Sequence, residues 1–301
     1  MKFSVTKCFK WTKFLSLLLI LPGLIGFIGA LFGAPFFNFD IDFTGGTTIQ
    51  VAIHTEATQS VCNEISDLVN KTVGIKPASV QSTGNGSVKD EVIIKTSELT
   101  DDQANAVYLA LEEKYDLKQE DDLLSVDNVS PTIGKDLQRV AVTASIVAAI
   151  GILIYISFRF DFRSGLSAIA CLLHDVLIIL SFYVIFRFPM NINFIAAALT
   201  IVGYSINATI VIFDRVREES RLVRKESFDY VVDKSVWASM GRSINTTFTT
   251  LVMIVLLLVM GVPSIKNFMI PLLIGVLCGA YSSVFIASPL WSTFRKWFPK
   301  H

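Results

Sequence analysis

Long apolar stretches alternate with short polar loops over most of this 301-residue chain. A bilayer core about 30 Å thick needs about 20 helical residues. Six stretches of about that length occur, one before a polar segment and five after it. They cover residues 14–31, 138–158, 165–186, 192–213, 243–262 and 268–290. The pattern predicts a polytopic α-helical membrane protein with six transmembrane helices.

The polar segment between the first two apolar stretches has a different pattern. Strand-like sequence covers residues 47–55, 78–83, 91–96 and 123–129, and helical spacing covers residues 58–73 and 101–115. The turn residues Gly84, Asn85 and Gly86 separate the middle two strands. The resulting order, βαββαβ, matches the ferredoxin-like split motif. We therefore predict an α+β domain over 35–136, between a first helix in 1–34 and five helices in 137–301.

Composition and charge agree with a membrane protein. Hydrophobic residues make up 52% of the chain and charged residues 17%, with a mean hydropathy of +0.57, whereas soluble domains are about a quarter charged. The segment 35–136 holds 18 acidic and 7 basic residues, and its net charge of −11 is balanced by +11 elsewhere. This separation fits an acidic domain and basic loops on opposite sides of a bilayer, and it argues against nucleic-acid binding.

The basic residues predict the orientation. Arginine and lysine are frequent after the second, fourth and sixth apolar stretches, whereas the opposite short loops contain only Arg187 and Lys266. By the positive-inside rule both termini are cytoplasmic and the segment 35–136 is extracytoplasmic. The lysines before the first stretch would also fit a signal peptide, but the apolar run is long for a cleavable one, which favours an uncleaved anchor.

Metal or cofactor chemistry has little support in the sequence. The four cysteines have no metal-ligand spacing and only three histidines occur. We expect no metal site, no cofactor and no enzymatic activity, because the isolated Ser, His and Asp residues form no nucleophile motif. Asp42 beside Gly45 and Gly46 is explained by a tight turn that leads into the first strand.

The fifth apolar stretch contains a polar half. Its continuous apolar run, residues 251–262, would cover only about 18 Å as a helix. To cross the membrane, the helix must include the preceding residues 242–250, with Arg242, Asn245 and four threonines. Such groups should face other helices or a wet cavity. The simpler alternative is hydrogen bonding between helices, with Arg242 reaching the cytoplasmic interface.

The third and fourth stretches contain further polar groups. His174 and Asp175 lie about 15 Å deep by helical rise, where ionisable groups are costly and mark functional sites. Adjacent helical residues point about 100° apart, so we expect that the two do not both face the same partner squarely. In the fourth stretch Ser205 and Thr209 share a face and Asn207 points elsewhere.

Two alternatives accompany these polar groups. His174 and Asp175 could be uncharged groups satisfied by nearby serines and threonines, and Asn207 is equally well explained as a packing contact between helices. Asp214 closes the fourth stretch, where a solvated charged cap is the default interpretation.

Several motifs together resemble the SecF proteins, the small partners of SecD in bacterial protein secretion. The matching segments are residues 39–47 (FDIDFTGGT), 130–137 (SPTIGKDL), 174–176 (HDV), 203–218, 242–250 and 279–289. Together they span nearly the whole chain, and the combination is specific although each motif alone is weak.

The resemblance implies a six-helix subunit of the resistance-nodulation-division class in the bacterial plasma membrane. It implies pairing with SecD, association with the SecYEG channel and by extension with YidC and YajC, contact with the exported polypeptide and with lipid, and export driven by the proton or sodium gradient. On this basis the residues expected to serve coupling are His174, Asp175, Ser205, Asn207, Ala208, Thr209, Asp214, Arg242 and Asn245.

One position departs from the family pattern. In the SecF proteins that this chain resembles, the motif of the fourth helix reads like Gly-Tyr-Ser-Leu-Asn-Asp-Thr. The Asp after Asn is associated with proton coupling in that family. Here that position is Ala208. Asp175, Asp214 or an acid on SecD could carry the coupling instead, and Arg242 should reach water, headgroups or another acid. Two rival functions stay open: a small-molecule or lipid exporter of the same architecture, and a passive scaffold for SecD.

Overall fold

The computed structural model describes residues 4–82, 90–118, 122–159, 161–223, 226–260 and 263–297. The chain forms two compact units, one of residues 39–142 and one of the remaining chain. In chain order the helices are α1 (Val5–Leu31), α2 (Ile41–Thr44), α3 (Gln59–Val73), α4 (Asp101–Tyr115), α5 (Pro131–Arg159), α6 (Phe162–Phe186), α7 (Ile192–Leu222), α8 (Phe228–Met260), α9 (Pro263–Ser282) and α10 (Ser288–Trp297). The strands are β1 (Asn38–Phe39), β2 (Gly46–Ile53), β3 (Ser79–Ser82), β4 (Asp90–Thr96), β5 (Leu123–Val129) and β6 (Pro189–Met190).

Six helices among the described residues are long and apolar enough to cross a membrane, as the sequence predicts. They are α1, α5, α6, α7, α8 and a last span, Ile265–Trp297. The last span joins α9 to α10 through a π-helical segment, Ser283–Ala287. The chain is therefore a multi-pass membrane protein. The helices are longer than the apolar stretches because α7 and α8 continue into charged sequence at their shared loop.

Small residues bring α1 close to α6. The backbone N–H of Gly23 donates to Ser181 Oγ at 2.8 Å, and a Cβ on Gly23 would lie 2.3 Å from the carbonyl oxygen of Leu177. The core of this unit then forms among α6, α7, α8 and the last span around buried Phe213, Val232 and Trp291. Close backbone contact through glycine is a common way of packing helices in membranes.

The second unit has the predicted βαββαβ order. Its sheet has the strand order β3-β4-β2-β5 and all pairs are antiparallel, with Ile49 opposite Ile94 and Val126. Thr58 and Thr100 cap α3 and α4 by accepting backbone hydrogen bonds, which ends each loop at a defined residue. The predicted turn at Gly84, Asn85 and Gly86 lies outside the described residues.

The core of this second unit lies between the sheet and the helices α3 and α4. It contains Ile49, Val51, Ile65, Ile94 and Leu111, all buried. Tyr108 is buried in the same core, and its desolvation, followed by the charges of Glu112 and Asp122, raises the pKa of its hydroxyl. Burial likewise raises the pKa of the Cys62 thiol.

Candidate functional site

Asp175 is the centre of a hydrogen-bonded cluster inside the helical unit. The residue is 1% exposed. Oδ2 accepts hydrogen bonds from Ser205 Oγ at 2.5 Å and Ser282 Oγ at 2.8 Å. Oδ1 accepts from Cys278 Sγ at 3.1 Å and lies 2.8 Å from His174 Nδ1. We call these five residues the Asp175 cluster. A buried carboxylate with four polar neighbours joins three helices, α6, α7 and α9.

His174 and Asp175 share one partner, Cys278, which lies closer to Asp175 than to His174. The two side chains contact each other, and Cys278 contacts both, with its Sγ 4.0 Å from His174 Nδ1. The Cα–Cβ directions of neighbouring helical residues do not by themselves fix where the ends of the side chains lie. The imidazole turns its Nδ1 back toward the carboxylate of the next residue, while its ring stacks on Tyr281 with 6.2 Å between the centroids.

Helical spacing explains how the cluster assembles. Each of the three helices presents two polar or thiol residues four positions apart, which places both on one face. Ser205 and Thr209 on α7 are both buried while Asn207 is exposed, as predicted. The other pairs are Cys171 with Asp175 on α6, and Cys278 with Ser282 on α9; Cys171 Sγ lies 4.0 Å from Thr209 Oγ1. Sequence analysis did not select Cys278 or Ser282, although this spacing was visible in the chain.

The π-helical segment begins directly after Ser282. Its extra residue frees backbone carbonyls that nearby hydroxyls satisfy: Ser167 Oγ donates to the oxygen of Ala287 at 2.5 Å, and Ser288 Oγ donates to the oxygen of Ser283 at 2.9 Å. Such segments are frequent at functional sites. Here it adjoins the Asp175 cluster on the side of α10.

Three members of the cluster could act as metal ligands. One donor atom each from His174, Asp175 and Cys278 lies within 4.8 Å of the others. The distances from Asp175 Oδ1 to His174 Nδ1 and to Cys278 Sγ are hydrogen-bond distances, so hydrogen bonding accounts for the arrangement without a metal.

Arg242 lies at a second polar site, between α7, α8 and the last span. A small cavity of about 60 Å³ is lined by Arg242, Asn207, Ala208, Tyr204 and Thr247, among other residues. Tyr204 and Thr247 are 3.3 Å apart at their hydroxyls. We call this the Arg242 cavity. The structure therefore places Ala208, the position that departs from the family pattern, in the same cavity as Arg242.

The polar half of α8 is exposed on this chain. Arg242, Asn245, Thr246 and Thr249 are exposed, and the hydroxyls of Thr246 and Thr249 hydrogen-bond to carbonyls one turn earlier. These bonds satisfy the hydroxyls within the helix. Arg242 and Thr246 also line the Arg242 cavity, whereas Asn245 and Thr249, the rest of this exposed polar stripe, lie on the surface of the chain.

Asp214 forms an ion pair rather than standing alone as a solvated cap. Both carboxylate oxygens accept from Arg159 Nη2, at 2.9 and 2.7 Å. Asp214 also lines a larger open cavity of about 510 Å³ with Arg215, Glu218 and Arg242. The structure does not bring Asp214 into the Asp175 cluster, so the predicted coupling residues do not form a single site.

The motif of Asp42, Gly45 and Gly46 forms a turn before β2. Asp40, not Asp42, caps α2 and receives Lys95 Nζ at 2.5 Å. Gly45 has φ of 78°, and a Cβ on Gly46 would lie 2.3 Å from the carbonyl oxygen of Thr96. The glycines therefore allow a backbone with positive φ and a close strand contact, which is a structural role.

Comparison with known proteins identifies the family. Residues 110–297 match the family model for the C-terminal region of the protein export membrane proteins SecD and SecF. Over 300 residues the chain is 37% identical to the protein translocase subunit SecF of Alicyclobacillus acidocaldarius, covering 98% of this chain and 93% of that protein. The chain belongs to the SecD/SecF family.

Fused and solved relatives extend the SecD/SecF match. The SecDF subunit of Bacillus subtilis is 38% identical over 263 residues, which are 86% of this chain and 34% of that protein. The crystal structure of SecDF from Thermus thermophilus is 29% identical with a TM-score of 0.83, covering 98% of this chain and 39% of that longer chain. The SecF-like chain thus corresponds to about a third of the fused proteins.

Proposed function

We propose that this chain is the SecF-type subunit of the bacterial Sec translocase, and that it acts with SecD to promote the late stage of protein export. The similarity to SecF over nearly all of both chains carries the proposal. The fused SecDF relatives support SecD as the direct partner. SecYEG, YidC and YajC are proposed as further partners. The chain acts without enzymatic chemistry, as a membrane subunit in contact with lipid and with the exported polypeptide.

The proposed location is the bacterial plasma membrane, with both termini in the cytoplasm and the βαββαβ unit outside. The distribution of basic residues supports this orientation. The exposed polar stripe of α8 supports a surface for SecD, because polar groups at membrane depth need protein or water beside them. A SecD acid beside Arg242 would replace the carboxylate absent at Ala208.

The coupling step proposed for this chain is a change of protonation at Asp175. An ionised Asp175 accepts hydrogen bonds only, so both Ser205 and Ser282 donate to it. A proton on Oδ2 adds a donor there, and at least one serine must turn; a proton on Oδ1 displaces the Cys278 thiol instead. Because Ser205 lies on α7, and Ser282 and Cys278 lie on α9, either change shifts helix packing. Movement of one charge, whether a proton or a sodium ion, through a membrane potential supplies about 2.3 kcal/mol per 100 mV.

A passive scaffold for SecD is the second candidate, and Ala208 is the observation that favours it. Depletion of the chain in its host tests the proposed role. We expect late-stage export to slow, measured by pulse-chase release of a secreted protein, and the gradient to have less effect on the rate. Normal export at every stage after depletion of both this chain and SecD would contradict the proposal. Restored SecD levels with no restored export would exclude a purely passive scaffold.

A further inference from the structure

An open groove with a volume of about 260 Å³ lies between α1 and the last span. Its wall on α1 consists of Phe9, Lys13, Leu17 and Ile20 with the buried Ser16. Phe9, Lys13, Leu17 and Ile20 are three or four positions apart, so they lie along one face of the helix. The other wall belongs to the last span between Ile286 and Trp297. We call this the α1 groove.

The α1 groove has the depth of part of one membrane leaflet. Lys13 is the last charged residue before the apolar stretch 14–31. From Lys13 the groove continues along α1 to Ile20, which is about 10 Å by helical rise. Half of a hydrocarbon core about 30 Å thick is about 15 Å. The groove beyond Lys13 therefore covers about two thirds of one leaflet.

The inner part of the α1 groove suits hydrocarbon better than water. Its polar groups already have partners in the protein: Thr293 Oγ1 donates to the carbonyl oxygen of Pro289 at 3.0 Å, and Ser16 Oγ lies 3.2 Å from the Tyr281 hydroxyl. His174 also lines the groove but is only 6% exposed. Most of the remaining wall is apolar, and an apolar chain can fill such a wall without leaving polar groups unpaired.

The charge at the outer part of the α1 groove is positive and uncompensated. Lys13 is exposed and forms no ion pair with any described residue. The neighbouring cations of α10 are already engaged, because Arg295 lies over the ring of Phe228 and Lys296 pairs with Asp229 at 2.7 Å. Lys13 is therefore the cation that an anionic group in this groove would meet.

We infer that the α1 groove binds an anionic phospholipid of the cytoplasmic leaflet. One acyl chain lies along Leu17 and Ile20, and the phosphate group lies at Lys13. Trp297, 69% exposed at the end of the last span, lies at the level of the headgroups, where tryptophan is enriched. The inference rests on the proposed orientation, which places Lys13 beside the leaflet that carries anionic lipids.

Native mass spectrometry of the full chain in complex with SecD tests the lipid site. The complex is delipidated in detergent and titrated with phosphatidylglycerol or with phosphatidylcholine of the same acyl chains. We expect one phosphatidylglycerol to bind more tightly than any phosphatidylcholine. Lys13→Gln should weaken its binding about fivefold, the effect of one lysine on an anionic lipid, and should leave phosphatidylcholine binding unchanged.

Lys7→Gln is the control for the charge. Lys7 is also exposed on α1, but it lies six residues before Lys13 and so points about 120° away from it. We expect this variant to bind phosphatidylglycerol like the wild type. An equal loss in the two variants would show a general attraction to the basic end of α1 and would overturn the site.

A pair of tryptophan substitutions tests the acyl-chain part of the groove. Leu17 and Leu18 are both 57% exposed, but only Leu17 lines the groove. We expect Leu17→Trp to fill the groove and abolish the tight binding of phosphatidylglycerol, and Leu18→Trp to preserve it. The same spectra show whether each variant still assembles with SecD, which separates loss of the lipid from loss of the fold.

Several outcomes would overturn the lipid site. They are equal binding of the two lipids, wild-type binding by Lys13→Gln, and tight binding that persists in Leu17→Trp. Binding by the isolated chain but not by the complex would assign the groove to SecD instead. If the lipid site fails while depletion of the chain still slows export, the proposed function stands. Normal export after depletion of this chain and SecD contradicts that function, whatever the lipid result.

Discussion

Ser205 donates a hydrogen bond to Asp175 across the interface of α7 and α6, with 2.5 Å between Oγ and Oδ2. Ser282 donates to the same oxygen from α9. The bond pairs residues 30 positions apart in the chain, and the second pairs residues 107 apart. Hydrogen bonds from two helices therefore meet at a single carboxylate oxygen on a third. The protonation of this carboxylate and the packing of the three helices should depend on each other.

Asp175→Asn tests the importance of that charge. The amide keeps the shape but cannot exchange a proton, so we expect export to lose its stimulation by the membrane gradient. The NH₂ group of asparagine would also replace one of the carboxylate oxygens that accept hydrogen bonds, so that it would face other donors. We expect this to cost about 1–3 kcal/mol of stability. Export in vesicles with and without an ionophore measures the first effect, and thermal unfolding in detergent the second.

Asp214→Asn is the matched control for this substitution. Asp214 is a partly exposed carboxylate paired with Arg159, and such pairs contribute about 0–1 kcal/mol. We expect this variant to keep gradient stimulation. Equal losses in the two variants would contradict a special role for Asp175.

Ala208→Asp tests whether the Arg242 cavity still serves coupling. The new carboxylate would enter the cavity that contains Arg242 and so provide an anion near an unpaired cation within the described residues. We expect stronger gradient stimulation of export than in the wild type. Ala208→Asn, which adds the same volume without charge, is the control. If both variants export like the wild type, the scaffold role of this half of the molecule gains support.

Sequence analysis predicted the six membrane helices and the βαββαβ order because each depends on local periodicity. The predicted apolar span of α7 is shorter than the helix, because hydropathy falls at Asp214 while the helix continues through the i,i+4 ion pair of Arg215 and Glu219. Such pairs supply helical stability that an apolar window does not detect.

The candidate site was only partly predictable. Asp175 and Ser205 stood out as polar groups in apolar helices, but their meeting with Ser282 depends on packing between distant segments. Cys278 resembles an ordinary apolar residue in sequence and becomes a polar neighbour only because Asp175 lies 3.1 Å away. Conversely, Arg242 and Asp175 belong to one list in sequence but to separate sites in the structure.

Gly23→Ala tests the contact of α1 with α6. The added methyl group would lie 2.3 Å from the backbone oxygen of Leu177, so the helices must separate. We expect a loss of about 1–3 kcal/mol in stability. Gly151→Ala is the control, because no atom lies within 4 Å of its added Cβ and alanine favours the helix by about 0.5–1 kcal/mol. In thermal unfolding in detergent, Gly23→Ala should unfold at a lower temperature than the wild type and Gly151→Ala at a higher one.

Tyr108→Phe tests a buried hydroxyl in the βαββαβ unit. The hydroxyl makes no hydrogen bond to any described residue, so its removal should stabilise the unit by about 1 kcal/mol at neutral pH. Since burial raises the pKa of Tyr108 above the ordinary tyrosine value of 10.0, the folded state keeps the hydroxyl proton at a pH where the unfolded state loses it. The unfolded state then binds fewer protons, and wild-type stability must fall as pH rises above about 10.

The Tyr108→Phe variant lacks this ionisable hydroxyl, so its stability should fall less over the same pH range. Pulse proteolysis of the full chain at increasing urea concentrations measures the stability of each variant and its dependence on pH. The amount of the protected fragment, residues 39–142, is the signal. Tyr230→Phe, at an exposed tyrosine outside this unit, is the control and should leave the fragment's stability unchanged. An alkaline decline of the same size in Tyr108→Phe and the wild type would show that Tyr108 ionisation is not its cause.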